Sequence, residues 1–494
     1  MTKNETSIAG APPSPLKLLH LGSGFRPLRR GGLVAYVEDL MDEQVRQGHD
    51  VAYFFAGRYY PFGGKPRVKR WRRRGIAMFE VINSPLIDHG RQPHVELAEP
   101  RIEAMLEQII DDLQPDVVHV QELAGLPSSV LEVARRADVP VVLTLQDYFP
   151  LCSTFKLLDV HGKVCLRREI GEDCVATIAA DSRRPGLMVE VTLRHDLQAQ
   201  WWSQHLSIDQ REALIMRVHR WSLRATQFRT RHRPDDLIDQ PTAFQHRRDV
   251  NVQRLSQADL LIAMSERVAE IYEQLGVEPH RLVTMQLTLG HIENLRPRHH
   301  RGGSPVTFAT LGGGESIAKG GFLLLEAVAS LSHAVGTQAF RLIIFGYVDE
   351  DVAEVARRTD CVEVHGPYAP DELNELLEDV DVGIMPSIWE EAYGYAGMEF
   401  LAKAIPVLGN AIGGITEYVR DGETGWVNES CSADGLATIM EKIIERPEQI
   451  SELNINLRST HDSIVLPFGR HAAGTEAMYR EEIAAKRLRS RPHR

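Results

Sequence analysis

The chain is short of several features that would have fixed its class at once. Only five cysteines occur in 494 residues. That excludes a disulfide-stapled secreted scaffold and fits a reducing compartment. No apolar run approaches the roughly 18–20 residues that a membrane-crossing helix needs. The amino-terminal stretch MTKNETSIAGAPPSP lacks a signal-peptide core and reads as a polar, proline-containing tail. No internal repeat with a period of about 20–50 residues is present, which excludes solenoids and propellers. Nor is there an excess of positive charge. Lysine and arginine number 56 against 68 acidic residues, a net charge of −12, so no basic face suited to general nucleic-acid binding dominates. These absences leave a cytoplasmic globular protein, free or at the inner face of the membrane. At this length a single core is too few, and roughly two to four domains are expected.

What is present is an alternation of buried-strand runs and amphipathic helices. Residues 16–21 (LKLLHL) read as a strand turned by Gly22-Ser23-Gly24. Gly31-Gly32 then precede a segment in which Leu33, Val37, Leu40, Met41 and Val45 recur at helical spacing. Residues 49–55 (HDVAYFF) are the next strand, completing a βαβ unit with a right-handed crossover. Strands over 116–120 (DVVHV), 140–145 (PVVLTL), 258–265 and 281–287, with helices over 101–113 and 128–137, continue the pattern. Residues 67–74 (RVKRWRRR) are a basic run around Trp71. They read as a solvent-side loop or as a patch facing an anionic acceptor or a membrane surface. Residues 181–252 are polar and helical in pattern, with Trp201, Trp202 and Trp221. They read as a helical insertion, or as a surface elaboration or subunit contact. Beyond the Gly- and Pro-containing linker 296–304 (RPRHHRGGS) the alternation restarts. A strand over 306–311 leads into GGGESIAKGG and a helix over 322–331, followed by strands over 341–345 and 362–365.

The most informative stretch is 380–426. A buried strand stopped by Pro386-Ser387 is followed by a loop with Glu391, and then by a helix over 396–403 carrying Glu399. In open parallel sheets ligands lie beyond the carboxyl ends of the strands, where helix amino termini suit phosphate and carboxylates accept from sugar hydroxyls. Glu391 to Glu399 resembles the E-x7-E signature of retaining GT-B glycosyltransferases of family 4 (glycosyl transferases group 1). Ala402, Pro406-Val407, Gly413-Gly414, Glu417 and the DGETG run 421–425 fall in the same register.

The resemblance implies an α/β GT-B fold, two Rossmann-like domains facing across a cleft with a helical insertion in the first. The expected layout is a tail at 1–15, an acceptor domain at 16–296 with its insertion at about 181–252, and a nucleotide-sugar domain at 304–460. A segment at 461–494 would return to the first domain. The implied activity is transfer of a sugar from a nucleotide sugar to an acceptor hydroxyl with retention of anomeric configuration. The acceptor would be a glycan, a lipid-linked molecule or a small molecule, peripheral membrane contact is open, and no nucleic acid is involved. The oligomeric state is left open by the sequence.

The implied catalytic set is Glu391, Lys319, Gln146 and His119. Glu391 would hold the donor sugar with Ala392, Tyr393 and Gly394 of its loop, and Glu399 the ribose. Lys319 with Gly313 and Gly314 would hold the diphosphate, Tyr368 beside Gly346 would pack on the base, and Gly31 and Gly32 would let the nucleotide sugar lie against backbone. His119 matches the family's D-V-V-H position.

Two departures stand out. Gly314 (or Gly313 under a one-residue shift) replaces the arginine of G-R-x4-K-G, a loss of about 2 kcal/mol for one charged hydrogen bond. Gln146 replaces the histidine of T-L-H-D-Y and cannot carry a proton or charge. These substitutions keep two alternatives in play: a catalytically impaired binding or partner protein, and a sugar-nucleotide epimerase. No cofactor or catalytic metal is implied, although Cys152, Cys165 and Cys174 with His161 offer four soft ligands for a structural zinc, at spacings wider than zinc motifs use.

Overall fold

A computed structural model describes residues 14–489, apart from 27, 30, 61–63, 87–89, 301 and most of 181–240. Among the described residues two sheets organise the chain. The first contains β1 (Lys17–Gly22), β2 (Asp50–Ala56), β3 (Arg67–Arg73), β4 (Ile76–Ile82), β5 (Val117–Val120), β6 (Val141–Leu145), β7 (Leu260–Ala263) and β8 (Leu282–Thr284). Their order is β3-β4-β2-β1-β5-β6-β7-β8, parallel except for β3 with β4. The second contains β9 (Val306–Leu311), β10 (Phe340–Phe345), β11 (Val362–Gly366), β12 (Val382–Met385), β13 (Val407–Asn410) and β14 (Gly425–Asn428). Its order is β11-β10-β9-β12-β13-β14, and every pair is parallel. Parallel strands are buried on both faces, which is why LLIA of β7 is apolar throughout and VVLTL of β6 apolar but for Thr144, both wholly buried.

Strand order reverses at β1/β5 in the first sheet and at β9/β12 in the second. Crevices open beyond the carboxyl ends at such points, so the topology alone points to the loops after these four strands. The helix Phe468–Arg489 packs on the first domain, where the Tyr479 hydroxyl lies 2.6 Å from His119 Nδ1 and Arg281 pairs with Glu482 at 2.7 Å.

The basic run at 67–74 is not a loop. Arg67–Arg73 is an antiparallel edge strand, where exposed cations discourage further pairing. Trp71 is half-buried, and Arg73 lies over the Phe25 ring at 4.8 Å. Arg70, Arg73 and Arg74 already pair with Asp112 (3.1 Å), Glu38 (3.0 Å) and Asp42 (2.7 Å), which leaves little free charge for an anionic surface. β4, β14 and the helix Glu448–Ser459 have no counterpart in the sequence reading. β4 hides because Glu80 in its middle is fully buried, a charge tolerated there by Arg58 at 2.6 Å.

Trp201, Trp202, Trp221 and most of the expected insertion lie outside the described residues. Its described end, the helix Pro241–Ser256, is anchored by arginines. Arg247 pairs with Glu96 and donates to the Phe149 carbonyl at 2.8 Å, and Arg248 donates to the Leu151 carbonyl at 2.6 Å. No helix among the described residues is long and apolar enough to cross a membrane.

Candidate active site

The loop after β12 is built around one carboxylate. Glu391 is 6% exposed, and a charge so placed needs partners. Lys319 Nζ donates to both its oxygens at 2.8 and 2.9 Å, while Ser387 Oγ and Trp389 Nε1 donate to Oε2, each at 2.9 Å. Lys319 ends the short turn Ile317–Lys319 that follows β9, so this ion pair ties the glycine loop to the β12 loop across the switch point. Gly320 makes that approach possible. Its φ is +80°, and a Cβ there would lie 1.9 Å from the Pro386 carbonyl oxygen.

Around this pair the structure gathers most of the expected donor-side residues. Gly394 begins the helix Tyr395–Ala402 with a left-handed backbone, φ 82°. Tyr393 is buried with its ring edge-on to Tyr395 and Tyr418, and the Ala392 carbonyl accepts from Ser265 of the first domain at 2.9 Å. Gly346 and Tyr368 meet at the ends of β10 and β11, beside Gly312 of the glycine loop. That loop explains its own missing arginine. A Cβ on Gly313 would fall 2.2 Å from Thr310 Oγ1, and one on Gly314 would fall 2.9 Å from Val348 Cγ1, so neither position has room for a side chain as the loop stands.

Two residues outside the expected set belong here. His291, in the connection between the sheets, places Nε2 2.7 Å from Glu399 Oε1. Its neighbour Gly290 donates to Asp39 at 2.8 Å, so the connection touches both domains beside the second motif glutamate. Glu390 is buried and held by Arg267 of the first domain at 2.6 and 3.1 Å and by the Gly413 N–H at 3.1 Å. Neither partnership has a sequence signature, because each depends on how the domains dock.

The first domain's contribution is less regular. Gly32 starts the helix Gly32–Arg46 directly against the second domain, where a Cβ would lie 2.6 Å from the Tyr395 ring; Gly31 beside it faces open space. His119 does not line the cleft. It is 1% exposed, between Thr144 Oγ1 (2.7 Å) and the Tyr479 hydroxyl (2.6 Å), with Gln121 at 3.0 Å. Burial and the neighbouring His20 and His471 hold its pKa well below the usual histidine range, so it serves the core as a neutral ring. Gln146 donates to the Gln121 side chain at 3.0 Å, and its buried Oε1 has no hydrogen-bond partner among the described residues. Asp147, next along, is pushed up to about 7 by removal from water and by Glu122, against the opposing Phe149 N–H. Glu122 in turn is held by Ser23 and by Arg29 at 3.3 Å. Tyr148 turns its ring edge-on to Trp389 across the cleft, 6.3 Å between centroids.

The three candidate zinc cysteines have other partners in this structure. Cys165 and Cys174 accept from Arg167 at 3.3 and 3.4 Å, Cys152 lies 3.2 Å from Thr154 Oγ1, and His161 is exposed in a turn. Among the described residues no three metal-ligating side chains converge.

Family models match both halves. The Glycosyltransferase Family 4 model covers residues 30–169, and the Glycosyl transferases group 1 model covers 306–446. The chain belongs to the group 1, family 4-like glycosyltransferases. Within curated proteins, this glycosyltransferase is similar to the D-inositol 3-phosphate glycosyltransferase of Corynebacterium urealyticum. The two are 26% identical over 225 residues, 41% of this chain and 52% of that protein. It is also similar to the lipopolysaccharide 1,2-N-acetylglucosaminetransferase of Salmonella typhimurium, 34% identical over 97 residues, 19% of this chain and 25% of that one. The chain therefore spans about half, or less, of the length of these curated relatives. Two solved structures share the fold at 14% identity. Sucrose-phosphate synthase from Thermosynechococcus elongatus gives a TM-score of 0.58 over 95% of this chain and 100% of that one. Anabaena HepE in complex with UDP and glucose gives 0.56 over 94% and 99%. The glycosyltransferase is thus GT-B in architecture, with one parallel-sheet domain on each side of the site.

Proposed function

We propose that this glycosyltransferase moves a sugar from a nucleotide-sugar donor to an acceptor hydroxyl with retention of anomeric configuration. The observation that carries the reading is the meeting of Lys319, Glu391 and the glycine loop at the carboxyl ends of β9 and β12. Lys319 and Glu391 satisfy one another in this state. A diphosphate at the glycine loop competes for the ammonium, and the helix Gly321–Val335 turns its amino terminus to the same place. Glu391 is then released to accept from donor hydroxyls while Ser387 and Trp389 hold its second oxygen. His291 holds Glu399 by Oε1 and so positions the carboxylate, whose other oxygen faces the ribose. Positive charge on the departing diphosphate is the term that lowers the barrier most, and the acceptor hydroxyl, attacking from the same face, passes its proton to that leaving group.

HepE was solved with UDP and with UDP-glucose, and a trehalose-phosphate synthase of this fold with glucose-6-phosphate. A uridine diphosphate hexose is accordingly the first donor to try, and a polyol or sugar phosphate the first acceptor. The test is nucleotide release from UDP-, GDP-, ADP- and dTDP-sugars, with the product anomer read by proton coupling. Wild-type protein should release nucleotide with at least one donor and Glu391→Ala should not. Equal release by both would refute the assignment, an inverted product would refute retention, and donor isomerised without acceptor would mark an epimerase. A protein that binds nucleotide, seen as a raised melting temperature, but releases none would be a binding module.

A further inference from the structure

The segment that follows β6 and runs through the helix Glu172–Ala180 has a feature that sugar transfer does not use. Its three cysteines are all free and partly accessible. They line one cavity together with Arg167 and Arg248. Cys165 and Cys174 share one donor: Arg167 Nε donates to Cys165 Sγ at 3.3 Å and Nη2 to Cys174 Sγ at 3.4 Å. Cys152 makes a different contact, with Thr154 Oγ1 at 3.2 Å.

The segment also touches the donor site. Between Cys152 and Cys165 the chain doubles back through the Leu158–Val164 bridge. From this hairpin Lys156 reaches Ser316 of the glycine loop at 3.5 Å, and Gly162 lies against Ile388, which a Cβ there would meet at 3.8 Å. Arg248 pins its base by donating to the carbonyls of Leu151 at 2.6 Å and of Arg168 at 3.0 Å. Cys165 is on the returning arm of the hairpin, its N–H bonded to the Leu157 carbonyl at 2.8 Å, whereas Cys174 is on the helix behind it. A bond between them would fasten the hairpin to that helix and displace Arg167 from between the sulfurs.

We propose that Cys165 and Cys174 are a thiol–disulfide exchange site for small-molecule disulfides of the glutathione class, set where it controls the hairpin that meets the donor loops. The Cys165 thiolate attacks one sulfur of the small disulfide, forming a mixed disulfide and releasing one small thiolate. The Cys174 thiolate then attacks the Cys165 sulfur, closing the protein disulfide and releasing the second. The two protons lost by the cysteines end on the two small thiols, and two electrons pass from protein to the small disulfide.

The linkage stands on the cysteine geometry alone; its effect on turnover rests on the transferase reading. Full-length protein is equilibrated in glutathione buffers of graded reduced-to-oxidised ratio, trapped with iodoacetamide and mapped by mass spectrometry. A peptide linking Cys165 to Cys174 should accumulate as the buffer becomes oxidising and vanish in excess reduced glutathione. Cys174→Ser should leave a lasting glutathione adduct on Cys165, and Cys152→Ser should change nothing. Nucleotide release should fall at least threefold on oxidation in wild type but not in Cys165→Ser or Cys174→Ser. Linkage through Cys152, or separate unlinked adducts on both cysteines in the wild type, would overturn the site. Linkage with unchanged release from an active enzyme would overturn the control of the donor loops. A protein with no transferase activity would still report the linkage, so the two readings fail separately.

Discussion

At the end of β12, Glu391 receives hydrogen bonds from Lys319, Ser387 and Trp389, and Glu399 has His291 at 2.7 Å. At the end of β6 the arrangement differs. Gln146 keeps a buried oxygen without a partner among the described residues, and Asp147 is pushed up to about 7 by its surroundings. Buried oxygens without a partner among the described residues occur at both ends, Gln146 Oε1 after β6 and Thr310 Oγ1 and the Tyr395 hydroxyl beside the β9 and β12 loops, so the difference lies in the carboxylates: three side chains donate to Glu391, whereas Asp147 accepts from the Phe149 N–H. A buried oxygen costs roughly 1–3 kcal/mol while unpaired. A site that pays this in its resting state gains discrimination, because a ligand lacking the matching group leaves the deficit in place.

The sharpest way to break that contrast is at Glu391. Glu391→Ala removes the acceptor shared by three donors, and turnover should fall by about 100-fold or more. Nucleotide release at saturating donor is the measurement. A loss below threefold would mean that the Glu391 cluster is scaffolding only.

The junction between the two sides is tested next. A Cβ on Gly32 would enter the Tyr395 ring at 2.6 Å, so Gly32→Ala forces the domains apart or the ring aside. Overpacking of this kind costs about 1–3 kcal/mol, and roughly a tenfold loss of turnover should follow. Tyr395→Ala should restore most of it in the double variant. Strict additivity of the two changes would show that they do not meet.

What the amino-acid sequence alone reveals follows the same division. The residues proposed to hold the donor lie mostly in one contiguous stretch, Ser387 to Glu399, plus a glycine loop whose lysine is fixed by spacing. Local sequence is therefore enough to nominate those residues. The first domain's cleft floor collects Ser23, Glu122 and Gln146 from three separate strand ends, and no local pattern relates them. His119 shows the limit of a motif position: it matches by sequence, yet the return of Tyr479 from the far end of the chain encloses it. The basic run at 67–74 misled for another reason. Its charges mark an edge strand, and edge strands carry cations on the side that must stay unpaired. Arg267–Glu390 and His291–Glu399 join residues more than 100 positions apart, so they exist only once the domains have docked.

His291 sharpens the comparison from the donor side. His291→Ala should raise the donor KM about three- to tenfold, the range for losing one partly solvated hydrogen bond to a carboxylate, with kcat within twofold. Rescue by His291→Gln would identify a positioning role through the ring N–H. A fall in kcat with KM unchanged would place His291 elsewhere in the reaction.

The smallest expected effect lies at the end of β6. Asp147 at about 7 sits above its unfolded value near 3.8, so between those values the folded state holds more protons than the unfolded one. Stability attributable to this group therefore falls as pH rises from about 4 to about 7, and the full cost is carried above that. Asp147→Asn keeps an oxygen for the Phe149 N–H, which now donates at 2.8 Å, and carries no charge. Its melting temperature should exceed wild type by a margin that widens between pH 5 and pH 8, by on the order of a few degrees. If acceptor hydroxyls bind here, the same change should weaken acceptor binding while leaving donor binding alone. A margin independent of pH would show that ionisation of Asp147 does not destabilise the folded state.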